Sequence, residues 1–394
     1  MRRVQIAERA DWQAAADAQG FTFHHEGGGR YWDERAAYLF TLEQIERDLE
    51  SPTEALHAMC LELVADVVAR DELMARLAIP EPMRDFVANS WKAKAPSLYG
   101  RFDFAYVGDG PAKLLEYNAD TPTSIYETGF FQWAWLEALI AGGRVGEDAD
   151  QFNSLHEKLI ARFGQIFAAG SFLHFASVPD HVEDRQTVRY LEDLAAQAKL
   201  DPKFVAIDRI GVDGDGKFVD DEGYIVQAIF KLYPWEDMFR EPYADKLAAS
   251  GTMFLEPAWK AILSNKGMLP LLWDRHPGHP NLLPAFFDDD AAGKADLGNS
   301  YVRKPLFSRE GWDIELVDRG RRQKGREGGY GEEGHVVQAL AKLPRLDGKY
   351  PVIGSWVVGT EAAGISIRED NSRVTRNLSR FVPHVILDQG QTLS

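Results

Sequence analysis

Cysteine is almost absent from this chain: Cys60 is the only one in 394 residues. An intrachain disulfide and a multi-cysteine zinc site are therefore excluded. Basic residues are also in deficit, with 44 Lys and Arg against 61 Asp and Glu and a formal charge of −17. That balance argues against nucleic acid as a partner, because phosphate contacts need a basic surface. A small polyanionic substrate stays open, since a local group of lysines and arginines is enough to hold it. No apolar run approaches the roughly 20 residues of a membrane span. No apolar segment follows Met1-Arg2-Arg3, so no signal peptide is expected. The expectation is a soluble, reduced, cytoplasmic protein with no membrane partner. The spacings of Walker A, HExxH and GxSxG are missing as well, which sets aside P-loop NTPases, zinc peptidases and serine hydrolases. The one GxGxxG spacing, Gly329 to Gly334, lies in a charged glycine-rich stretch with no strand pattern before it and no helix pattern after it, so it does not read as a dinucleotide fingerprint.

What is present suits a large core. Hydrophobic residues are 45% and aromatics 11% of the chain, which excludes disorder throughout. At about 150 residues per domain, the length fits two or three domains or one enlarged unit. The first ninety residues read as helical. Thr41 with Gln44 is a capping-box pattern, and Ser51-Pro52 puts proline at a helix start. Leu56, Met59, Cys60, Leu63, Val64, Val67 and Val68 recur at helical spacing and predict a buried stripe. Cys60 lies on that stripe, so a reactive thiol is not expected.

Helices are predicted over 128–141 and 151–168. Residues 171–230 read as alternating α/β, with strands at 172–177, 204–208 and 225–229. A helix after Asp184 would turn Val188, Leu191, Leu194 and Ala195 inward. A strand is predicted at 300–306, and a mobile glycine-rich loop at 324–334. Residues 350–358 and 363–369 read as a hairpin.

A first hairpin carries unusual charge. Residues 101–107 (RFDFAYV) and 112–118 (AKLLEYN) alternate around Gly108-Asp109-Gly110-Pro111. In the simplest register Val107 pairs with Ala112, Asp103 with Glu116, and Arg101 with Asn118. These four polar residues then share one face, while Phe102, Phe104, Leu115 and Tyr117 suit a core. Two opposed carboxylates are unfavourable unless a cation joins them. The polar face is thus either solvated or a binding surface for something positive. Asp, Glu and an Asn carbonyl are hard oxygen donors suited to Mg²⁺ with phosphate, and Arg101 could meet the anion. Lys266, Lys304, the turn Ser308-Arg309-Glu310-Gly311, Gln338 and Arg368 sit at strand ends or turns, where ligand groups tend to lie. Singly, each also reads as a surface residue.

Residues 101–104 (RFDF) and 114–124 (LLEYNADTPTS) resemble the synthetase domain of the glutathionylspermidine synthases, and most nearly the stand-alone acid–amine ligases related to it. The resemblance continues through 265–273 (NKGMLPLLW), 302–311 (VRKPLFSREG), 345–350 (RLDGKY), 351–358 (PVIGSWVV) and 378–384 (LSRFVPH). It implies an α+β / α/β fold: an ATP-grasp-like, two-lobed ligase with an embedded pre-ATP-grasp-like α/β region. The unit would span 1–394. Residues 1–150 would hold N-terminal helices and the metal-binding hairpin, 151–254 the α/β region, and 255–394 the nucleotide-binding region.

The implied activity is ATP- and Mg²⁺-dependent joining of a small-molecule carboxylic acid to an amine through an acylphosphate. A peptide and a polyamine are the implied kinds of substrate. A non-catalytic or ATPase-only protein on the same fold is the alternative. By resemblance, Asp103, Glu116 and Asn118 match the magnesium ligands. Arg101 matches the arginine that stabilises the transferring phosphoryl group, with Phe102 beside it. Lys266 and Lys304 match lysines on the ATP phosphates. Arg309, Glu310 and Gly311 match the phosphate-covering loop, and Gln338 falls near the adenine. Arg368 matches a late active-site arginine, and Val374 lies in a segment of backbone contacts. Thr121, Thr123 and Ser124 are candidate contacts to the acid. The amidase domain of bifunctional relatives has no counterpart in this sequence, so amide hydrolysis is not implied.

Overall fold

The two alternating segments, 101–118 and 350–369, fold into one sheet. The computed structural model describes residues 1–26, 28–376, 379–387 and 393. Leu378, first in the last of the resembling segments, lies outside the described residues. The central sheet is antiparallel, in the order Arg380–Phe381, Glu361–Asp370, Tyr350–Val358, Tyr99–Ala105, Lys113–Asn118. Its inner strand Tyr350–Val358 is almost wholly buried. Strands from both halves of the chain are therefore neighbours.

Two further sheets flank it. A parallel sheet runs Met253–Leu255, Ala228–Leu232, Phe172–Ser177, Asp201–Ala206. The helix Val182–Gln197 packs on it, with Val188, Leu191, Leu194 and Ala195 buried as expected. Two strand boundaries move from their expected places. Residues 204–208 become Asp201–Ala206, because an edge strand tolerates Pro202. Residues 225–229 become Ala228–Leu232, because Lys231 belongs to the strand interior and is neutralised by Asp120. An antiparallel sheet runs Ala285–Phe287, His335–Ala339, Tyr301–Pro305, Glu315–Asp318, Arg321–Lys324.

The N-terminal ninety residues are less helical than their sequence suggests. Arg2–Gln5 and His384–Ile386 both pair with Ala36–Phe40. That strand is buried on both faces, so it shows no alternation to read. The Thr41 capping box does form. Ser51 caps nothing, however: the helix runs from Leu42 through a π-helical turn at Glu46–Glu50 into Ser51–Val67. Pro52 lacks the N–H that would bond one turn back, and the wider turn accommodates the loss. Cys60 is fully buried on the predicted stripe, and burial pushes its thiol pKa up.

The start of the strand that carries Arg101 and Asp103 is clamped. The Glu256 carboxylate accepts from the backbone N–H groups of Leu98 and Tyr99, at 3.0 and 2.9 Å. Lys260 Nζ stands 2.6 Å from that carboxylate and donates to the Tyr99 carbonyl at 2.6 Å. Both side chains are fully buried. Removing one partner leaves an uncompensated charge in the interior, at a cost of about 3–5 kcal/mol. Lys260→Met is expected to lose about that much stability in urea unfolding. Lys260→Met combined with Glu256→Gln should recover a large part of it.

Candidate active site

The hairpin places its charge on one face. Arg101 pairs with Asn118, Phe102 with Tyr117, and Asp103 with Glu116, as the simplest register requires. Beyond Glu116 the register shifts by one, so Phe104 pairs with Leu114 and not with Leu115. Leu114 takes the core position, fully buried, and Leu115 is the extra residue of a bulge. The expected pair Val107–Ala112 is lost with that shift. The bulge frees the Leu115 carbonyl, which accepts from Lys304 Nζ at 2.8 Å.

Arg101 lies back along its own strand. Its Nε donates to Asp103 Oδ1 at 2.7 Å, and its Nη1 to the Thr123 carbonyl at 2.8 Å. The side chain crosses Gly354 on the neighbouring strand, where a Cβ would stand 2.7 Å from Arg101 Cδ. Asn118 Nδ2 donates to Asp103 Oδ2 at 3.2 Å. Lys266 Nζ is 3.2 Å from Glu116 Oε2 and donates to the Ser308 carbonyl at 2.7 Å. Burial pushes the Glu116 carboxyl up, but Lys266, Lys304 and Arg101 outweigh it and hold the pKa below the ordinary value. Burial lowers the Lys304 ammonium to about 8, with Glu116 opposing the change.

Two connected cavities meet at this face. The larger, about 290 Å³, is lined by Arg101, Asp103, Glu116 and Asn118, by Thr121 and Thr123, and by Arg368. The smaller, about 110 Å³, has apolar walls from Val302, Ile314, Leu316, Leu343 and Val352. Lys304, Gln338 and Val374 also line it. Asp103, Glu116, Lys266, Arg309, Glu310 and Gly311 border both. Gly311 has φ +73°, and a Cβ there would meet the Thr375 carbonyl at 2.5 Å. Only glycine lets that loop approach the 373–375 segment so closely.

Two expected residues stand apart from the cavities, and a third lines one with its side chain already engaged. The Phe102 ring is buried on the far face of the hairpin, stacked on Tyr117 with centroids 3.8 Å apart. Ser124 is fully buried behind the Thr121–Thr123 wall, where its hydroxyl meets Tyr31 Oη at 3.0 Å. Gln338 does line the smaller cavity, but its amide is committed to Lys304 and to the Leu114 carbonyl, at 2.8 and 2.9 Å. Several wall residues had no motif to reveal them: His181, Glu183, Asp184, Glu236 and Arg376. Asp120 lies within the 114–124 segment but carried no assigned role. Asp184 reads as a helix start in the sequence. In the structure His181 is the N-cap, and the first turn of the helix presents Glu183 and Asp184 to the cleft.

Two carboxylates and an amide oxygen on one face form an oxygen donor set that suits Mg²⁺ when phosphate oxygens complete the shell. Among the described residues, no group of three or more His, Cys, Asp and Glu could hold a metal by itself. No helix there is long and apolar enough to cross a membrane.

A protein of Haemophilus influenzae, provisionally named an acid–amine ligase, is 40% identical over 93% of this chain and 94% of its own length. The trypanothione synthetase of Crithidia fasciculata is 31% identical over 81% of this chain and 52% of its own. The bifunctional glutathionylspermidine synthetase/amidase of Escherichia coli is 28% identical over 89% of this chain and 59% of its own. This chain thus spans little more than half of the two longer relatives. The mixed α/β fold is like that of a glutathione synthetase-like effector from Globodera pallida, with a TM-score of 0.52 at 13% identity over 88% of each chain. Residues 3–387 match the profile of the glutathionylspermidine synthase preATP-grasp family, and the chain belongs to that family.

Proposed function

We propose that the chain is an ATP- and Mg²⁺-dependent ligase that joins a carboxylic acid to an amine, releasing ADP and phosphate. One observation carries the reading. Asp103, Glu116 and Asn118 face Lys266 and Lys304 where an apolar cavity opens into a polar cleft. In this reading the apolar cavity takes the adenine and the junction takes the phosphates, so the two antiparallel sheets act as the two lobes of an ATP-grasp site. Gln338 then serves by fixing Lys304.

Asp103, Glu116 and Asn118 would hold Mg²⁺, which when bound offsets phosphate charge. The acid lies by Arg101, Thr121, Thr123 and Arg368, and its carboxylate attacks the γ-phosphate to give an acylphosphate. Arg101, Lys266 and Lys304 stabilise the charge that spreads over the transferring oxygens. The amine then attacks the activated carbonyl, and phosphate leaves. Glu183, Asp184 and Glu236 make one wall of the cleft acidic, which suits a cationic amine such as a polyamine. The relatives' names support a peptide-like acid, although no cysteine lines the cleft.

Asp103→Asn and Glu116→Gln are each expected to cut Mg²⁺-dependent ADP release by about 100-fold or more. The assay uses a panel of peptide acids with spermidine, and circular dichroism should stay unchanged. Folded variants that release ADP like the wild type would sink the assignment. A second expectation follows from Lys304. Its positive charge is lost as the pH rises through about 8 in the nucleotide-free protein. Affinity for AMP-PNP with Mg²⁺, measured calorimetrically, should fall across that range. Lys304→Met should bind weakly and lack the inflection.

A further inference from the structure

The loop 307–311 borders the phosphate junction, and the loop 324–334 lies behind it, the two being joined through the residues that flank the first. Leu306 N donates to the Gly334 carbonyl at 3.0 Å, and Asp313 N to the Arg326 carbonyl at 2.7 Å. The Asp313 carboxylate accepts from Gly328 N and Tyr330 N, at 2.9 and 2.8 Å. Both loops also reach across the cleft to one short helix, Trp235–Met238, and the residues just after it. Arg309 Nη2 donates to Glu236 Oε1 at 3.0 Å, from loop to helix. Arg240 Nη2 donates to Glu333 Oε1 at 2.7 Å, in the opposite sense. The Arg240 guanidinium also lies over the Phe307 ring, 5.7 Å from its centroid.

The helix is fixed at its base and loosely bound at its tip. Trp235 N donates to Asp120 Oδ2 at 2.9 Å, and Lys231 Nζ to Asp120 Oδ1 at 2.6 Å. That ion pair is fully buried, at 0% and 1% exposure. The Arg309 side chain, by contrast, is 41% exposed. Glu236 is 14% exposed, so solvent reaches the pair mainly from the Arg309 side, and such a pair is worth about 1 kcal/mol. Arg309 gives Glu236 a single hydrogen bond, whereas a phosphate carries up to two negative charges and three acceptor oxygens and can take the guanidinium bidentately. Arg309 borders both cavities at the phosphate junction. A bound polyphosphate therefore competes for it with the advantage.

We propose that Glu236 is a positioning residue that holds Arg309 across the cleft and yields it to a nucleotide phosphate, while Arg240 retains the glycine-rich loop through Glu333. The inference rests on the nucleotide reading given above. Its test uses the full-length chain, AMP-PNP with Mg²⁺, titration calorimetry and hydrogen–deuterium exchange. Removing the competing carboxylate should strengthen nucleotide binding, opposite to the effect of structural damage. Glu236→Gln is expected to bind AMP-PNP about three- to tenfold more tightly. Exchange over 307–311 should be faster than in the wild type without nucleotide and equal to it with nucleotide. In an Arg309→Gln background, Glu236→Gln should bring no gain. Arg240→Ala should speed exchange over 324–334 and weaken binding.

Unchanged or weaker binding by Glu236→Gln, at an unchanged melting temperature, overturns the proposal. If Glu236→Gln does not fold, Glu236→Asp carries the same test with a smaller gain. If the wild type binds no AMP-PNP, the nucleotide reading fails. The hold on Arg309 is then judged by exchange alone, and unchanged exchange over 307–311 in Glu236→Gln overturns it.

Discussion

Asp103 and Glu116 face each other across the first hairpin, and the surrounding structure is arranged around that repulsion. Cross-strand neighbours stand about 5 Å apart. At an effective dielectric near 20, two like charges at that distance repel by about 3 kcal/mol. Three separate parts of the chain supply the compensation. Arg101 comes from the hairpin itself, Lys266 from the turn before a helix, and Lys304 from a strand of another sheet. The Lys304 ammonium is placed by the bulge at Leu115 and by Gln338. Each cation is held by a backbone carbonyl, Arg101 and Lys266 by an acid as well and Lys304 by Gln338, so the charges stay in place when the occupant of the site changes.

Much of the site was legible in the sequence, because period-two alternation and a turn signal fix which side chains share a face. The set Arg101, Asp103, Glu116 and Asn118 follows from pairing alone, and the hairpin shows that pairing. What alternation misses is the point where it breaks. The bulge exchanged Leu114 and Leu115 between core and cavity, and no local pattern in AKLLEYN marks it. Pairing arithmetic also says nothing about residues brought in from far away. Glu183 and Glu236 look like ordinary surface acids until three elements meet around the cleft.

The fold was legible to the extent that each element carried its own period. The helix with Val188 and Leu191 inward and the 350–370 hairpin were found on that basis. Strands buried on both faces, such as Ala36–Phe40, were not, and a lysine inside a strand displaced the Ala228–Leu232 boundary. In each case a tertiary partner overrode the local preference: Arg2–Gln5 and His384–Ile386 for the first strand, Asp120 for the second.

The strand order of the central sheet bears on how the protein is made. Asp103 pairs with Gly354, and the strand carrying Arg368 lies beyond that one. During synthesis the hairpin emerges long before its sheet partner, with Phe102 and Phe104 lacking a neighbouring strand. Closing so distant a pairing is entropically costly and slow. The helix stripe around Cys60 packs in the same core as Phe102 and Phe104 and is translated just before them. It can shelter that apolar face on the ribosome, leaving the charged face to wait in water for the rest of the chain.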